Sequence, residues 1–261
     1  MKQTPELPDR LLLAPVETDF AAEVLLMEAR DLPGESWLPH FNAAYYSGDW
    51  SGVALRAPGG RNQLYPDLVT NAPYADTPLL DACPRIREAL ASLRTEVTSA
   101  RLLRLGPGAV IREHRDYQIG LEYGEIRLHI PLETNGDVTF VLGGTPLPMR
   151  PGECWYVDVT QPHHVENAGT EARIHLVIDC VTNAWLLERL EAAADAAFER
   201  FAERVAALPE LGSELWEIEN EADFVARTVA LGRANGFVFP ARDVERAIES
   251  GRVRWLEAVE G

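Results

Sequence analysis

Six short strand-like runs lie between Arg101 and Cys180, turn signals separate them, and the pattern switches to helical periodicity after Asn183. These features predict a mainly β fold: a double-stranded β-helix core, the jelly-roll or cupin-like arrangement, with a mixed N-terminal segment and a small C-terminal helical domain. The expected division is 1–183 and 184–261. A chain of 261 residues is long enough for one large domain plus a small one.

Taken in order, residues 33–84 are rich in Pro, Gly, Asn, Tyr and Trp, which suggests loops and short strands. Ile86, Leu90 and Leu93 then recur at three- and four-residue intervals and predict a helix from 84 to about 97. The strand runs are 101–105, 125–130, 138–142, 153–159, 163–166 and 172–180. Gly106-Pro107-Gly108, Asn135-Gly136-Asp137, Gly143-Gly144, Pro151-Gly152 and Ala168-Gly169 punctuate them. Beyond Asn183 an apolar stripe of Trp185, Leu186, Leu190, Ala193, Ala197, Phe198, Phe201 and Val205 marks an amphipathic helix. After a break at 209–213, a second helix is expected over about 221–234, stopped by Asn235-Gly236, and a third over 242–250.

The hydrophobic share of 46% and charged share of 25% are those of an ordinary globular protein. A formal net charge of −17 argues against nucleic acid and anionic membrane surfaces as partners, because both attract basic clusters. No apolar run approaches a membrane span, and Met1 to Glu6 lacks a signal-peptide core, so a cytoplasmic location is expected. Cys83, Cys154 and Cys180 are odd in number and widely spaced, which fits reduced, packed thiols. Lys2 is the sole lysine, so any buried anion site must be built from arginine forks.

The central pattern is His114-Arg115-Asp116, followed by His163 and, ten residues later, Arg173. On an extended segment residues two apart point to one side, so His114 and Asp116 can grip one ion while Arg115 points away. With His163 they form two imidazoles and a carboxylate on one face of an octahedral Fe(II), leaving positions open for a bidentate 2-oxo acid and O₂. Arg173, across the turn at 167–170, can bind the distal carboxylate of 2-oxoglutarate with both arms of its fork. Arg127 and His129 alternate with Ile126, Leu128 and Ile130, so their shared polar face points into the cavity and could hold the proximal carboxylate or an acidic substrate group.

Plainer readings stand beside these. A lone His-x-Asp is common by chance, and only its company with His163, Arg173 and a β-rich context makes it a ligand set. His164 competes with His163, and alternation lets only one of them point inward. Arg127 could pair with a surface carboxylate, His175 could be a satisfied core histidine, and His40 in its loop reads as structural or solvent-facing.

At these residues the chain resembles the aspartyl/asparaginyl β-hydroxylase family, which includes bacterial proline hydroxylases. The matching segments are Leu105 to Gly108 before His114 to Tyr117, then Ile126 to His129, Gly152 to Trp155, Pro162 to Val165, and Arg173 to Asp179. The resemblance covers about 37–179. It implies a jelly-roll core with Fe(II) and 2-oxoglutarate, which is decarboxylated to succinate as one oxygen atom enters an unactivated C–H bond. The family's ten-residue spacing to the 2-oxoglutarate arginine selects His163 over His164. One departure is Asp116, since the animal aspartyl hydroxylase has no carboxylate ligand, and this places the chain nearer the bacterial amino-acid and peptide hydroxylases.

The segment 195–248 resembles a nitrogen-fixation-type leader peptide domain in Phe198 to Phe201, Leu208 to Leu211, Phe224-Val225, Ala234 to Phe239 and Asp243 to Ala247. That resemblance implies a peptide substrate or a docking role, with a leader-bearing precursor peptide as a partner. The expected activity is hydroxylation of an amino-acid side chain, Asp or Asn, free or in a peptide, with proline or another free amino acid as the alternative. Two rivals use the same barrel: a cupin-type metal isomerase or lyase, and a non-catalytic peptide-binding module. An isomerase has no need of the Arg173 clamp.

Overall fold

The computed structural model describes residues 10–13, 21–64, 72–215 and 217–251; Lys2 and the stretch Met1 to Glu6 lie outside them. Two compact units emerge, one of residues 12–186 and one of residues 187–261 with 1–11. Among the described residues no helix is long and apolar enough to cross a membrane.

The chain opens with β1 (Arg10–Leu13), α1 (Ala22–Asp31), β2 (Leu38–Pro39), β3 (Tyr46–Ser47), β4 (Trp50–Pro58) and β5 (Tyr74–Asp76). Two helices follow, α2 (Pro78–Asp81) and α3 (Pro84–Ser92). Next come β6 (Val97–Leu105), β7 (Val110–His114), β8 (Glu125–Glu133) and β9 (Val138–Leu142). The last strands are β10 (Thr145–Leu147), β11 (Cys154–Val157), β12 (His163–Asn167) and β13 (Arg173–Val181). The larger sheet runs β1-β11-β8-β13-β6-β4-β2 with β5 added on β4, and the smaller runs β10-β9-β12-β7-β3. From β6 to β13 the chain passes back and forth between the two sheets, which is the winding of a jelly roll.

Alternation along the central strands sorts the chemistry. On β13, Ile174, Leu176, Ile178 and Cys180 are buried on one face, while Arg173, Val177 and Asp179 line a cavity on the other. On β8, Ile126 and Leu128 are buried and Arg127 and His129 line the same cavity. α1 packs on β8 and α3, burying Leu25, Ala29, Ile86 and Leu90. Each such leucine or isoleucine side chain taken fully out of water contributes about 1.5–3 kcal/mol.

Two elements differ from the sequence expectation. The helix expected to 97 ends at Ser92, because Leu93 is extended and Val97 pairs with Cys180 as β6 begins. Residues 50–58, expected as loop and short strand, form nine-residue β4, buried nearly throughout. Its small residues hide the pattern, and they are needed: a Cβ on Gly52 would lie 2.7 Å from the Leu102 carbonyl oxygen.

Asn167, fully buried, ties the turn after β6 to the turn before β13. Its Nδ2 donates to the Leu105 carbonyl at 3.0 Å and the Glu171 carbonyl at 2.8 Å, and its Oδ1 accepts from the Gly169 amide at 3.2 Å. Its carbonyl accepts from the amide of Gly108 at 2.8 Å, where a φ of 68° calls for glycine. Asn167→Ala should therefore leave buried backbone groups unpaired and destabilise the chain by about 2–4 kcal/mol, read from denaturant unfolding. A loss well under 1 kcal/mol would mean that these turns hold themselves.

The second unit contains most of α4 (Ala184–Ala207), followed by α5 (Pro209–Gly212), α6 (Glu221–Ala234) and α7 (Ala241–Glu249). Phe198, Phe201, Val205, Leu215, Phe224, Phe239 and Val244 form its core. Asn220 caps α6 by accepting from the Asp223 amide at 3.0 Å.

At the start of α7 the Asp243 carboxylate is buried without a hydrogen-bond partner, 3.7 Å from Arg246 Nη2 and 3.8 Å from Arg242 Nε. Arg246 itself donates to Asp195 at 3.0 Å. Burial, then the neighbouring Asp195 carboxylate, push the Asp243 pKa up to about 6 against the pull of both arginines. A raised folded pKa favours the protonated form, so this contribution is full below the ordinary carboxyl pKa and is lost as pH rises through about 6. Asp243→Asn should slow hydrogen exchange of α7 in the intact chain at pH 7.5, by about tenfold, with no difference at pH 4. An equal effect at both pH values would exclude titration of Asp243 as its source.

Candidate metal centre

β7 and β12 lie side by side with His163 directly opposite His114, and the register shifts between that pair and Val165 opposite Ile111. The shift is a bulge in β7, which turns His114 onto the same side as the buried Ile111. The two imidazole centroids are 4.2 Å apart. Asp116 follows on the extended segment after β7, its amide held by the Val159 carbonyl at 2.9 Å. One ligand atom from each of His114, Asp116 and His163 lies within 4.8 Å of the others.

Hydrogen bonds orient both rings. His114 Nδ1 lies 2.8 Å from the Arg112 carbonyl and His163 Nδ1 lies 3.0 Å from the Gln161 carbonyl. A carbonyl only accepts, so each Nδ1 carries the proton and each Nε2 is left as the donor atom for a metal. Burial holds the His163 pKa below the usual range, which keeps that ring neutral. Burial pushes the Asp116 carboxyl up, but the neighbouring charges, Arg127 foremost, outweigh it and hold it below the usual carboxylate range. The three residues could hold a divalent ion such as Fe(II), and two imidazoles with one carboxylate leave coordination positions for other ligands. His164 follows on β12 with its side chain on the alternate face and is not part of this group.

The donors open on a cavity of about 600 Å³. At one end stands Arg173, 2% exposed, with no carboxylate beside it among the described residues. Its Nη2 contacts His175 Nδ1 at 2.8 Å and its Nε has no partner. Burial alone pushes its pKa down to about 9. Beside it, His129 is buried with both ring nitrogens unpartnered, and burial, then Arg173, hold it well below the usual histidine range. A buried, unpaired guanidinium next to a neutral imidazole with two open nitrogens fits a carboxylate ligand, so Arg173 and His129 could hold 2-oxoglutarate. Phe140 joins this end to the donors: it stacks on His163 at 6.2 Å, meets His129 edge-on at 5.6 Å and lies 5.9 Å from the Arg173 guanidinium.

Arg127 also lines the cavity, but its fork is engaged. Its Nε and Nη2 donate to the two Asp179 oxygens at 2.6 and 2.9 Å, and its Nη1 donates to Asp116. Arg101 completes the group through Nη1, 2.9 Å from Asp179 Oδ2. His175 is buried, as a core histidine would be, and His40 stacks on Trp50 at 3.5 Å. Phe140, Arg101 and Asp179 were not singled out from the sequence as site residues. Only alternation on β13 and β6 points to Asp179 and Arg101, and no local pattern marks Phe140.

The family described as aspartyl/asparaginyl beta-hydroxylase matches residues 20–183. An L-proline cis-4-hydroxylase of Rhizobium meliloti (strain 1021) is 30% identical over 177 residues, 65% of this chain and 63% of that protein. The match thus spans less than two thirds of that relative's length. L-proline cis-3-hydroxylase 1 of a Streptomyces species is 27% identical over 222 residues, 79% of this chain and 72% of its own. Among solved structures, a Pseudomonas putida prolyl-4-hydroxylase aligns over 68% of this chain and 94% of its own at a TM-score of 0.43 and 13% identity. These matches lend no support to the leader-peptide resemblance of residues 195–248. With its matched segment carrying both histidines, Asp116 and Arg173, this chain belongs to the aspartyl/asparaginyl beta-hydroxylase family.

Proposed function

We propose that the chain is an Fe(II)- and 2-oxoglutarate-dependent hydroxylase of an amino-acid side chain, free or within a peptide. The observation that carries this is the convergence of His114, Asp116 and His163 in one cavity with the buried, unpaired Arg173. A cupin-type isomerase or lyase would use the three ligands and leave Arg173 a costly buried charge without a partner. Both curated relatives named above are proline hydroxylases and the family description names aspartyl and asparaginyl groups, so proline and Asp or Asn each have support.

When bound, iron with 2-oxoglutarate and O₂ supplies the oxidising chemistry, releasing succinate and CO₂ as one oxygen atom enters a C–H bond. His114 and His163 would present their Nε2 atoms, the Nδ1 atoms being held by backbone carbonyls, and Asp116 its carboxylate. Arg173 would take the distal carboxylate of 2-oxoglutarate, with His129 beside it. Arg127 neutralises Asp116 and keeps it aimed inward before a metal arrives, so its contact with cosubstrate would be shared with that role. The apolar Phe140, Val177 and Val165 exclude water between the two ends.

His114→Ala and His163→Ala should each abolish retention of Fe(II) through gel filtration, because no neighbour replaces a lost ligand, whereas His164→Ala should keep it. A metal-free His164→Ala variant would show that the register of β12 is misread. Anaerobic Fe(II) with 2-oxoglutarate should give a weak visible charge-transfer band, and a chain that holds metal without it would favour the isomerase reading.

Arg173→Lys should raise the KM for 2-oxoglutarate on the order of tenfold to hundredfold, with Fe(II) affinity unchanged. One arm of a charge-assisted pair is worth roughly 1.5–3 kcal/mol. An unchanged KM would remove Arg173 from the cosubstrate site.

A further inference from the structure

Between β11 in the larger sheet and β12 in the smaller one the chain crosses through Asp158, Val159, Thr160, Gln161 and Pro162. The crossing belongs to neither sheet, yet its carbonyls are put to use in succession. That of Val159 accepts from the Asp116 amide at 2.9 Å, and that of Thr160 from Arg115 Nη1 at 2.7 Å. That of Gln161 meets His163 Nδ1 at 3.0 Å, and that of Pro162 accepts from the Gly143 amide at 2.8 Å. Asp116 and His163, candidate ligands from two different segments, are thus both referred to one short turn.

The Asp158 side chain holds that turn. Its Oδ1 accepts from the Thr160 amide at 3.0 Å and the Thr160 hydroxyl at 2.6 Å, and its Oδ2 accepts from Gln161 Nε2 at 3.3 Å. The backbone adds the Gln161 amide on the Asp158 carbonyl at 3.1 Å and the Val159 amide on the Val157 carbonyl at 3.0 Å. We infer that Asp158 is a positioning residue for the candidate metal centre: by fixing this turn it sets, through the Val159 and Gln161 carbonyls, where Asp116 and His163 stand. This rests on the metal-binding part of the proposed function.

Asp158 is not itself a ligand. It lies outside the group of donor atoms that converge, and both of its oxygens face donors within its own turn. An aspartate that caps a turn at a loop tip fixes only that loop. Here the carbonyls it aims are acceptors for the ligand segments, so a displacement of the turn is passed on to them. Asp116 lies beyond the last residue of β7, so the bond from its amide to Val159, and not the strand ladder, holds its backbone. If the Gln161 carbonyl turns away, His163 Nδ1 loses its acceptor, and the ring is free to rotate or to carry its proton on Nε2, which closes that atom to a metal. The ring of His114 is held by the Arg112 carbonyl of its own strand and does not depend on the turn. Asparagine has the shape of aspartate and retains an oxygen for both Thr160 donors, while the Gln161 amide can turn over to offer its oxygen to the new amide group. Asparagine should therefore serve in place of Asp158 if the role is geometric.

The test measures Fe(II) affinity of the full chain by anaerobic equilibrium dialysis, well below the unfolding temperature. A wild-type chain that takes up no Fe(II) would remove the metal centre and this inference with it. With binding present, Asp158→Ala should weaken it about tenfold to a hundredfold, the range usual for a partner that orients a ligand, and Asp158→Asn should stay within about twofold of wild type. In the metal-free chain, the Nδ1 proton resonance that His163→Ala removes should also be lost from Asp158→Ala, while that of His114 persists. A purely structural role would lower the unfolding temperature and leave the affinity and the resonance of the folded chain unchanged. That result overturns the inference with the metal reading standing, as does an Asp158→Asn chain that binds as weakly as Asp158→Ala. Should Asp158→Ala fail to fold, Thr160→Val decides, since it removes only the 2.6 Å hydroxyl bond. A loss of about threefold to tenfold is then expected, and wild-type affinity overturns the inference.

Discussion

From Ile111 to His114 the backbone of β7 takes three steps while its partner β12 takes two, from Val165 to His163. In a regular ladder His114 would fall on the face opposite Ile111; the bulge brings it to the same side, beside His163. Asp116, two residues further along extended chain, then arrives on that side as well. The Nδ1 bonds to the Arg112 and Gln161 carbonyls lock the rings where the bulge puts them. A slip of one residue in this pairing would face His164 inward and His163 outward, so the candidate metal ligands and the barrel register are one constraint. Asn167, at the far end of β12, holds that register from the other side by joining the turns that flank β6 and β13.

The other constraint is electrostatic. Asp179 sits between Arg101 and Arg127, and Arg127 in turn reaches Asp116. Burial pushes the Asp179 carboxyl up, yet the two guanidiniums outweigh this and hold it well below the usual carboxylate range. Burial opposes the Arg127 charge too, and Asp179 and Asp116 restore it. Each charge is tolerable in the interior only because of its neighbours, so the chain of four groups stands or falls together. Arg173 is the contrast: more deeply buried, with no carboxylate beside it among the described residues, and facing the neutral rings of His129 and His175. One cavity therefore holds a balanced end and an unbalanced end, with the candidate metal ligands joined to both through Arg127 and Phe140.

The architecture was legible where side-chain period and turn chemistry agree. Val138 to Leu142 was read to the residue, and 125–130, 163–166 and 172–180 differ from β8, β12 and β13 by one to three residues at their ends. His114, Asp116, His163 and Arg173 converge on one cavity as their spacing suggested. β4 was missed because Ser51, Gly52, Ala54 and Ala57 carry little hydrophobic signal, and at Gly52 that smallness is set by close approach to the Leu102 carbonyl of β6. Arg127 was legible as cavity-facing, but its partners were not, since Asp179 is 52 residues away and meets it only through the β8 and β13 pairing. Phe140 is a lone aromatic in an apolar strand, and its contact with His163 and Arg173 arises from sheet closure that no local pattern encodes.

A chain with a formal charge of −17 nevertheless lines its cavity with five arginines and no lysine. Burial explains the choice. It lowers Arg173 from its ordinary value to about 9, which leaves the group charged at neutral pH. A lysine begins about two units lower, so the same displacement would bring it to roughly 7 and leave about half of it neutral. Arginine also presents its donors in a fixed planar fork, so Arg127 can engage Asp179 with two of them and still reach Asp116 with a third. A flexible ammonium would satisfy one carboxylate and release the other. The acidic composition disfavours polyanions, whereas the guanidinium-lined cavity is the part of the chain suited to a small carboxylate.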